Sequence, residues 1–143
     1  MVFIYRYREL PGKKGARKKT PSIPVLFRGN SPTTIQVVAL VDSGADLSVV
    51  PKGLAEVLNL DLTGPKQDSF GFGGKIVCIE SKVSITLNQG HEKAELEIPV
   101  LVSPDDSCPA ILGRTGFFDL FNITFDSKRH HLTLKRNSLV PLY

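Results

Sequence analysis

The chain is poor in residues that build covalent or metal-centred sites: its 143 residues hold two cysteines and three histidines. Cys78 and Cys108 stand in a sequence with no secretory leader at its start, so they read as reduced, small hydrophobic residues and not as a disulfide framework. His130 and His131 are neighbours in a turn, and adjacent residues of extended backbone point apart, which fits no metal ligand pair. Neither a metal nor an organic cofactor is expected. No apolar run approaches the roughly 18 residues that a membrane-spanning helix needs. The apolar start Met1-Val2-Phe3-Ile4-Tyr5 is too short for a signal peptide and is broken by Arg6 and Arg8, so the expected location is the cytoplasm, with no membrane contact. The run Gly71-Phe72-Gly73-Gly74 lacks both the Gly-Lys-Ser/Thr ending and the following helix of a phosphate-binding loop. Asn122-Ile123-Thr124 fits a glycosylation pattern but, without a secretory segment, reads as strand.

Charge is unevenly spread. Residues 1–20 carry seven Lys/Arg against Glu9, a net of +6, while the remaining 123 carry eleven basic and thirteen acidic side chains, a net of −2. The basic excess therefore belongs to a segment and not to the body of the chain. We divide the chain into a basic amino-terminal segment, 1–20, and one domain, 21–143. Lys13-Lys14-Gly15-Ala16-Arg17-Lys18-Lys19 is too polar to bury and reads as a flexible stretch or exposed loop, with a nucleic-acid or other acidic contact through 13–19 as the alternative. Before it, Phe3, Tyr5 and Tyr7 alternate with Val2, Ile4 and Arg6, the pattern of an edge or interface strand that could join a partner by β-augmentation.

Strand candidates follow in short order: 23–28, 34–42, 47–51, 75–87, 93–103, 121–126 and 130–135. This spacing is that of an all-β barrel or sandwich. Helix is scarce, with Lys52–Leu60 and Thr115–Leu120 as short candidates.

One run concentrates the chemistry. Ala39-Leu40-Val41-Asp42-Ser43-Gly44-Ala45-Asp46 puts a carboxylate at the end of an apolar strand in front of a tight turn. Burying such a carboxylate costs several kcal/mol of desolvation unless hydrogen bonds or a chemical role offset it. Gly44 has no Cβ to keep other backbone from whatever Asp42 touches. The run reads as a carboxylate at the floor of a cleft, and its apolar flanks Val37–Val41 and Leu47–Val50 separate it from disordered Asp-Ser-Gly segments.

These residues resemble the Asp-Thr/Ser-Gly-Ala signature of aspartic peptidases, and Ala110-Ile111-Leu112-Gly113-Arg114 is similar to the apolar-apolar-Gly-Arg block of the same family. Between them, Phe70-Gly71-Phe72-Gly73-Gly74-Lys75 resembles the flap hairpin of retropepsins. The resemblance covers roughly residues 22–136 and implies a retropepsin-like acid protease barrel with a flap and one or two short helices. It also implies that Asp42 acts with Ser43 and Gly44 as the catalytic turn, that Ser43 braces it, and that Ala45, Gly113 and Arg114 give structural support. Substrate contacts would come from Gly44, Asp46, Phe70, Gly71, Phe72, Gly73 and Gly74, with Asp46 at the cleft rim. An Asp46–Arg114 pair is implied too, where a planar guanidinium suits a bidentate carboxylate contact in a partly buried place.

The chemistry needs two carboxylates sharing a proton, yet Asp61, Asp68, Asp105, Asp119 and Asp126 all lack a following Ser/Thr-Gly. At 143 residues the chain is too short for two lobes. The implied enzyme is a symmetric homodimer that pairs Asp42 with its copy and cuts polypeptides. The alternative is a noncatalytic dimeric peptide-binding or scaffold module.

Overall fold

In the hairpin formed by Gly74–Gln89 and Glu92–Val102, side chains alternate between core and solvent, and that alternation dictates how the sheet sits. Val83, Ile85 and Leu87 on one strand face the same way as Ile98, Leu96 and Ala94 directly opposite them, and all six are buried. The computed structural model describes residues 1–10, 18–71 and 74–137. In chain order its strands are β1 (Val2–Arg6), β2 (Arg8–Glu9), β3 (Lys19–Thr20), β4 (Ser22–Arg28), β5 (Thr34–Val41), β6 (Ser48–Val50), β7 (Lys66–Gly71), β8 (Gly74–Gln89), β9 (Glu92–Val102), β10 (Ile111–Leu112), β11 (Phe121–Asp126) and β12 (His131–Arg136). Helix α1 (Lys52–Val57) follows β6, and one 3-10 turn covers Phe118–Leu120.

The main sheet runs β4-β5-β10-β6-β9-β8-β7, and β4 also pairs with β8 through Leu26–Arg28 and Ser84–Thr86. That second pairing closes six strands into a ring and leaves β7 projecting as the outer arm of the β7/β8 hairpin. Inside lie Ile23, Val25 and Phe27 of β4, with Ala55 and Leu58 of the α1 segment in the same core. The outer face of the hairpin is laced by the exposed pairs Lys82–Glu97 and Lys93–Glu95, at 3.4 and 3.3 Å, whose contribution is small.

The alternation expected from Val2 to Tyr7 is present in β1, and its partner is β12 of the same chain, from Val2 opposite Lys135 to Arg6 opposite His131. Phe3 and Tyr5 point inward and are buried with Leu132, Leu134 and Phe121. On the other edge of β1 the Gln89 side-chain amide hydrogen-bonds both ways with Ile4: Ile4 N–H donates to Oε1 at 2.6 Å, and Nε2 donates to the Ile4 carbonyl. That edge is thus filled at its centre. The Tyr5 hydroxyl is buried with no hydrogen-bond partner among the described residues, and burial pushes its pKa up to about 12. Lys13 to Arg17 lie outside the described residues.

Both helix candidates are shorter than the sequence suggests. After α1, Asn59 adopts a left-handed φ of 53°, and Asn59 and Leu60 N–H bond back to the Glu56 and Ala55 carbonyls at 3.0 Å each, a Schellman stop. The expected helix over Thr115–Leu120 shrinks to Phe118–Leu120 because Gly116 has φ +87° and breaks the right-handed path.

Candidate active site

Strand β5 ends at Val41, one residue before Asp42, and β10 is inserted between β5 and β6. β10 runs parallel to β5, with Leu112 opposite Val41, and antiparallel to β6, with Ile111 opposite Val49. Leu40 N–H donates to the Ala110 carbonyl at 2.9 Å and Asp42 N–H to the Leu112 carbonyl at 3.0 Å. The backbone on either side of Val41 is therefore pinned, and the chain turns immediately afterwards.

The turn is closed by the carboxylate itself. Asp42 Oδ1 accepts the Gly44 N–H at 2.9 Å, and the Asp42 carbonyl accepts from Ala45 N–H at 3.2 Å. Asp42 is half-buried, while Ser43 and Gly44 are exposed. A Cβ on Gly44 would stand 3.2 Å from Asp42 Oδ1, close enough that the carboxylate would have to give by a few tenths of an ångström.

Residues after β10 brace the turn from beneath. Arg114 N–H donates to the Ala45 carbonyl and Thr115 N–H to the Asp46 carbonyl, both at 2.9 Å. Gly113 lies so close that a Cβ there would be 2.7 Å from the Leu47 carbonyl carbon and oxygen. Its N–H is taken by the Ser48 hydroxyl at 3.0 Å, and Ser48 is buried. The Arg114 guanidinium divides its donors: Nη1 reaches the Ser43 carbonyl at 3.0 Å and Nη2 lies 3.7 Å from Asp46 Oδ1. The two side chains meet as the family resemblance implies, but at the surface, 53% and 78% exposed, and not as a bidentate pair in a partly buried place. An exposed pair of this kind contributes at most about 1 kcal/mol. The bond that positions the turn is the one to the Ser43 carbonyl.

Asp42, Gly44, Ala45, Asp46 and Phe70 all line one cleft of ≈ 540 Å³. Its walls add apolar surface from Leu47, Val49, Leu101 and Ile111 and polar groups from Gln67, Asp68 and Ser69. Asp68 pairs with Lys75 across the β7/β8 hairpin at 3.7 Å, with both side chains about half exposed. Phe70 is 78% exposed on that hairpin, and Gly71 stands opposite Gly74, whose φ is +97°. Phe72 and Gly73 lie outside the described residues. Sequence reasoning missed Ser48 and the apolar wall. The available signal was a hydroxyl in an apolar strand run, Leu47-Ser48-Val49-Val50.

Among the described residues no cluster of His, Cys, Asp and Glu is arranged to hold a metal ion. A second cavity of ≈ 490 Å³, lined by Asp61, Glu80, Ser81, Lys82, Glu97 and Pro99, contains none of the motif residues.

No protein-family model matches the chain, and no curated protein matches it. Among solved structures it is similar to EIAV protease complexed with the inhibitor HBY-793, with 26% identity, 68% of this chain and 84% of that chain covered, and a TM-score of 0.50. It is also similar to a retropepsin-like aspartic protease from Rickettsia conorii, with 16% identity, 94% of this chain and 91% of that chain covered, and a TM-score of 0.53. The fold is retropepsin-like.

Proposed function

We propose that the protein is an aspartic endopeptidase that works as a homodimer in the cytoplasm. The observation that carries this reading is the Asp42 turn: a carboxylate at a strand end, oriented by the Gly44 N–H, on the floor of an open cleft, with one such turn per chain. The protease neighbours lend it support. Two Asp42 carboxylates, one per chain, would meet at a two-fold axis and share one proton, because like charges about 3 Å apart do not both ionise.

In this mechanism one carboxylate takes a proton from a water molecule as the water attacks the peptide carbonyl. The other carboxylate protonates the departing amine. Gly44 lets the substrate strand come close, and Asp46 at the rim meets its backbone. The β7/β8 hairpin acts as a flap, Phe70 to Lys75 closing over the peptide and excluding water. Arg114 and Gly113 hold the turn and touch no substrate.

The test is cleavage of a denatured protein mixture from acid to neutral pH by the wild type and by Asp42→Asn, with solution mass measured for both. A wild type that cuts as a dimer beside a silent, dimeric variant supports the reading. Folded dimers that both fail to cut favour the noncatalytic binding module. A chain that cuts as a monomer refutes the shared dyad.

A further inference from the structure

The chain's two cysteines are thirty positions apart in sequence, yet one is hydrogen-bonded to buried Ser103 and the other precedes Ile79, which pairs with the residue before that serine. Cys78 lies on β8 directly opposite Gln67 of β7, and Gln67 lines the cleft. The β8–β9 register pairs Ile79 with Val102. One step further along that register sets Cys78 across from Ser103, where opposed residues share a face. Both are shut off from solvent, at 1% and 2% exposure. From the other side, the Cys108 thiol donates to the Ser103 hydroxyl at 3.3 Å, and that hydroxyl donates in turn to the Asp105 carbonyl at 2.7 Å. Ser103 thus holds the Cys108 thiol one register step past the Ile79–Val102 pair that adjoins Cys78, and neither cysteine is bonded to the other.

We propose that Cys78 and Cys108 form a peroxide-oxidisable dithiol site, which closes into an intrachain disulfide between the base of the β7/β8 hairpin and the loop that leads into β10. This goes beyond peptide cleavage and does not depend on it. Access orders the steps. Cys108 is partly exposed, whereas burial pushes the Cys78 thiol up and the neighbouring Cys108 adds to that, so Cys78 is poor at meeting an oxidant itself. Cys108 sulfur attacks hydrogen peroxide, breaks its O–O bond and becomes a sulfenic acid, releasing water. The Cys78 sulfur then attacks the Cys108 sulfur and displaces a second water as the S–S bond forms. Two thiols are oxidised and one peroxide is reduced to two waters. The loop from Pro104 to Pro109 carries the movement that bonding distance requires, and the strand it feeds, Ile111–Leu112, is the one pinning the Asp42 turn.

The folded full-length chain is treated with hydrogen peroxide, then read by thiol titration, intact mass and peptide mapping under non-reducing conditions. The expected result is loss of both thiols together, a monomeric mass lower by two hydrogen atoms, one Cys78–Cys108 linked peptide, and full reversal by dithiothreitol. Cys78→Ala is expected to stop at a Cys108 sulfenic acid that dimedone traps, and Cys108→Ser to leave Cys78 unmodified at the same dose. The linked peptide from the wild type decides the matter without either variant. A wild type that accumulates a dimedone adduct on Cys108 with Cys78 still free, or that links only between two chains, overturns the proposal.

Discussion

Gly113→Ala tests the packing beneath the Asp42 turn most directly. The added methyl would stand 2.7 Å from the carbonyl carbon and oxygen of Leu47 and 2.9 Å from the Ala45 carbonyl oxygen. Carbon contacts are comfortable at about 3.5 Å and beyond, so something must open by about 0.8 Å, and all three neighbours are backbone atoms that no rotamer change can move aside. Overpacking of this kind costs about 1–3 kcal/mol. If the shift also pulls the Gly113 N–H off the buried Ser48 hydroxyl, a further penalty of about 1–2 kcal/mol follows. The total, about 2–5 kcal/mol, corresponds to a fall in melting temperature of roughly 4–20 °C for a chain of this order of size. Urea denaturation measures it as a lower midpoint at unchanged slope. Gly90→Ala is the contrast: a Cβ there meets nothing within 4 Å, and only the left-handed φ of 58° is strained, at about 1–2 kcal/mol. In the proposed role, peptide cleavage is expected to fall by more than the folded fraction in Gly113→Ala and to follow the folded fraction in Gly90→Ala. A Gly113→Ala protein with the wild-type midpoint would refute the idea that this glycine is wedged under the turn.

Ser48→Ala removes the acceptor of a buried N–H and is expected to lower stability by about 1–2 kcal/mol in the same denaturation assay, with no new clash. Tyr5→Phe deletes a buried hydroxyl that has no partner among the described residues, so it is expected to leave stability near pH 7 unchanged or raise it by about 1 kcal/mol. Because folding raises the Tyr5 pKa from 10.0 to about 12, the wild type is fully supported below pH 10 and loses stability as pH climbs towards 12. The Phe variant lacks that loss, and denaturation midpoints across the window measure the difference. The α1 N-terminus is capped from a distance, with Gly53 N–H donating to Asp106 Oδ1 at 2.7 Å, and Asp106→Ala is expected to cost about 1 kcal/mol by thermal melting. Hydrogen bonds from the Thr63 side chain and backbone hold the Asp61 carboxyl below its ordinary value. The support they give is present above that value and is lost as acid protonates the folded group. Thr63→Val is expected to move the Asp61 titration upward in an NMR pH series.

Those outcomes turn on contacts of unequal legibility. Strand β11 spans Phe121–Asp126, the stretch its alternating residues mark, and β8 and β9 differ from expectation by one or two residues at their ends. The Asp42 turn is also readable, since a carboxylate closing an apolar strand before Ser-Gly has few bland explanations. What escapes local reading depends on distant partners. β10 is two residues long and is a strand only because β5 and β6 flank it. β7, with the sequence Lys-Gln-Asp-Ser-Phe-Gly, has no apolar alternation and takes its conformation from the ladder to β8. Arg114 is recognisable as part of a motif, but its hold on the Ser43 carbonyl follows from where β10 delivers it.

The insertion of β10 between β5 and β6 also bears on how the molecule is made. Those two strands are nearly consecutive in sequence but cannot zip together, because the slot between them waits for a segment some sixty residues further on. Closing so long a loop is entropically slow. During synthesis the Asp42 turn leaves the ribosome well before the strand that fixes it, and it becomes rigid only once Ile111 and Leu112 have threaded in. Pulse-labelling hydrogen exchange would report this as late protection of the Asp42 amide. In the proposed role such an order has a use: a protease whose catalytic turn sets only late in synthesis cannot attack the earlier part of its own half-made chain.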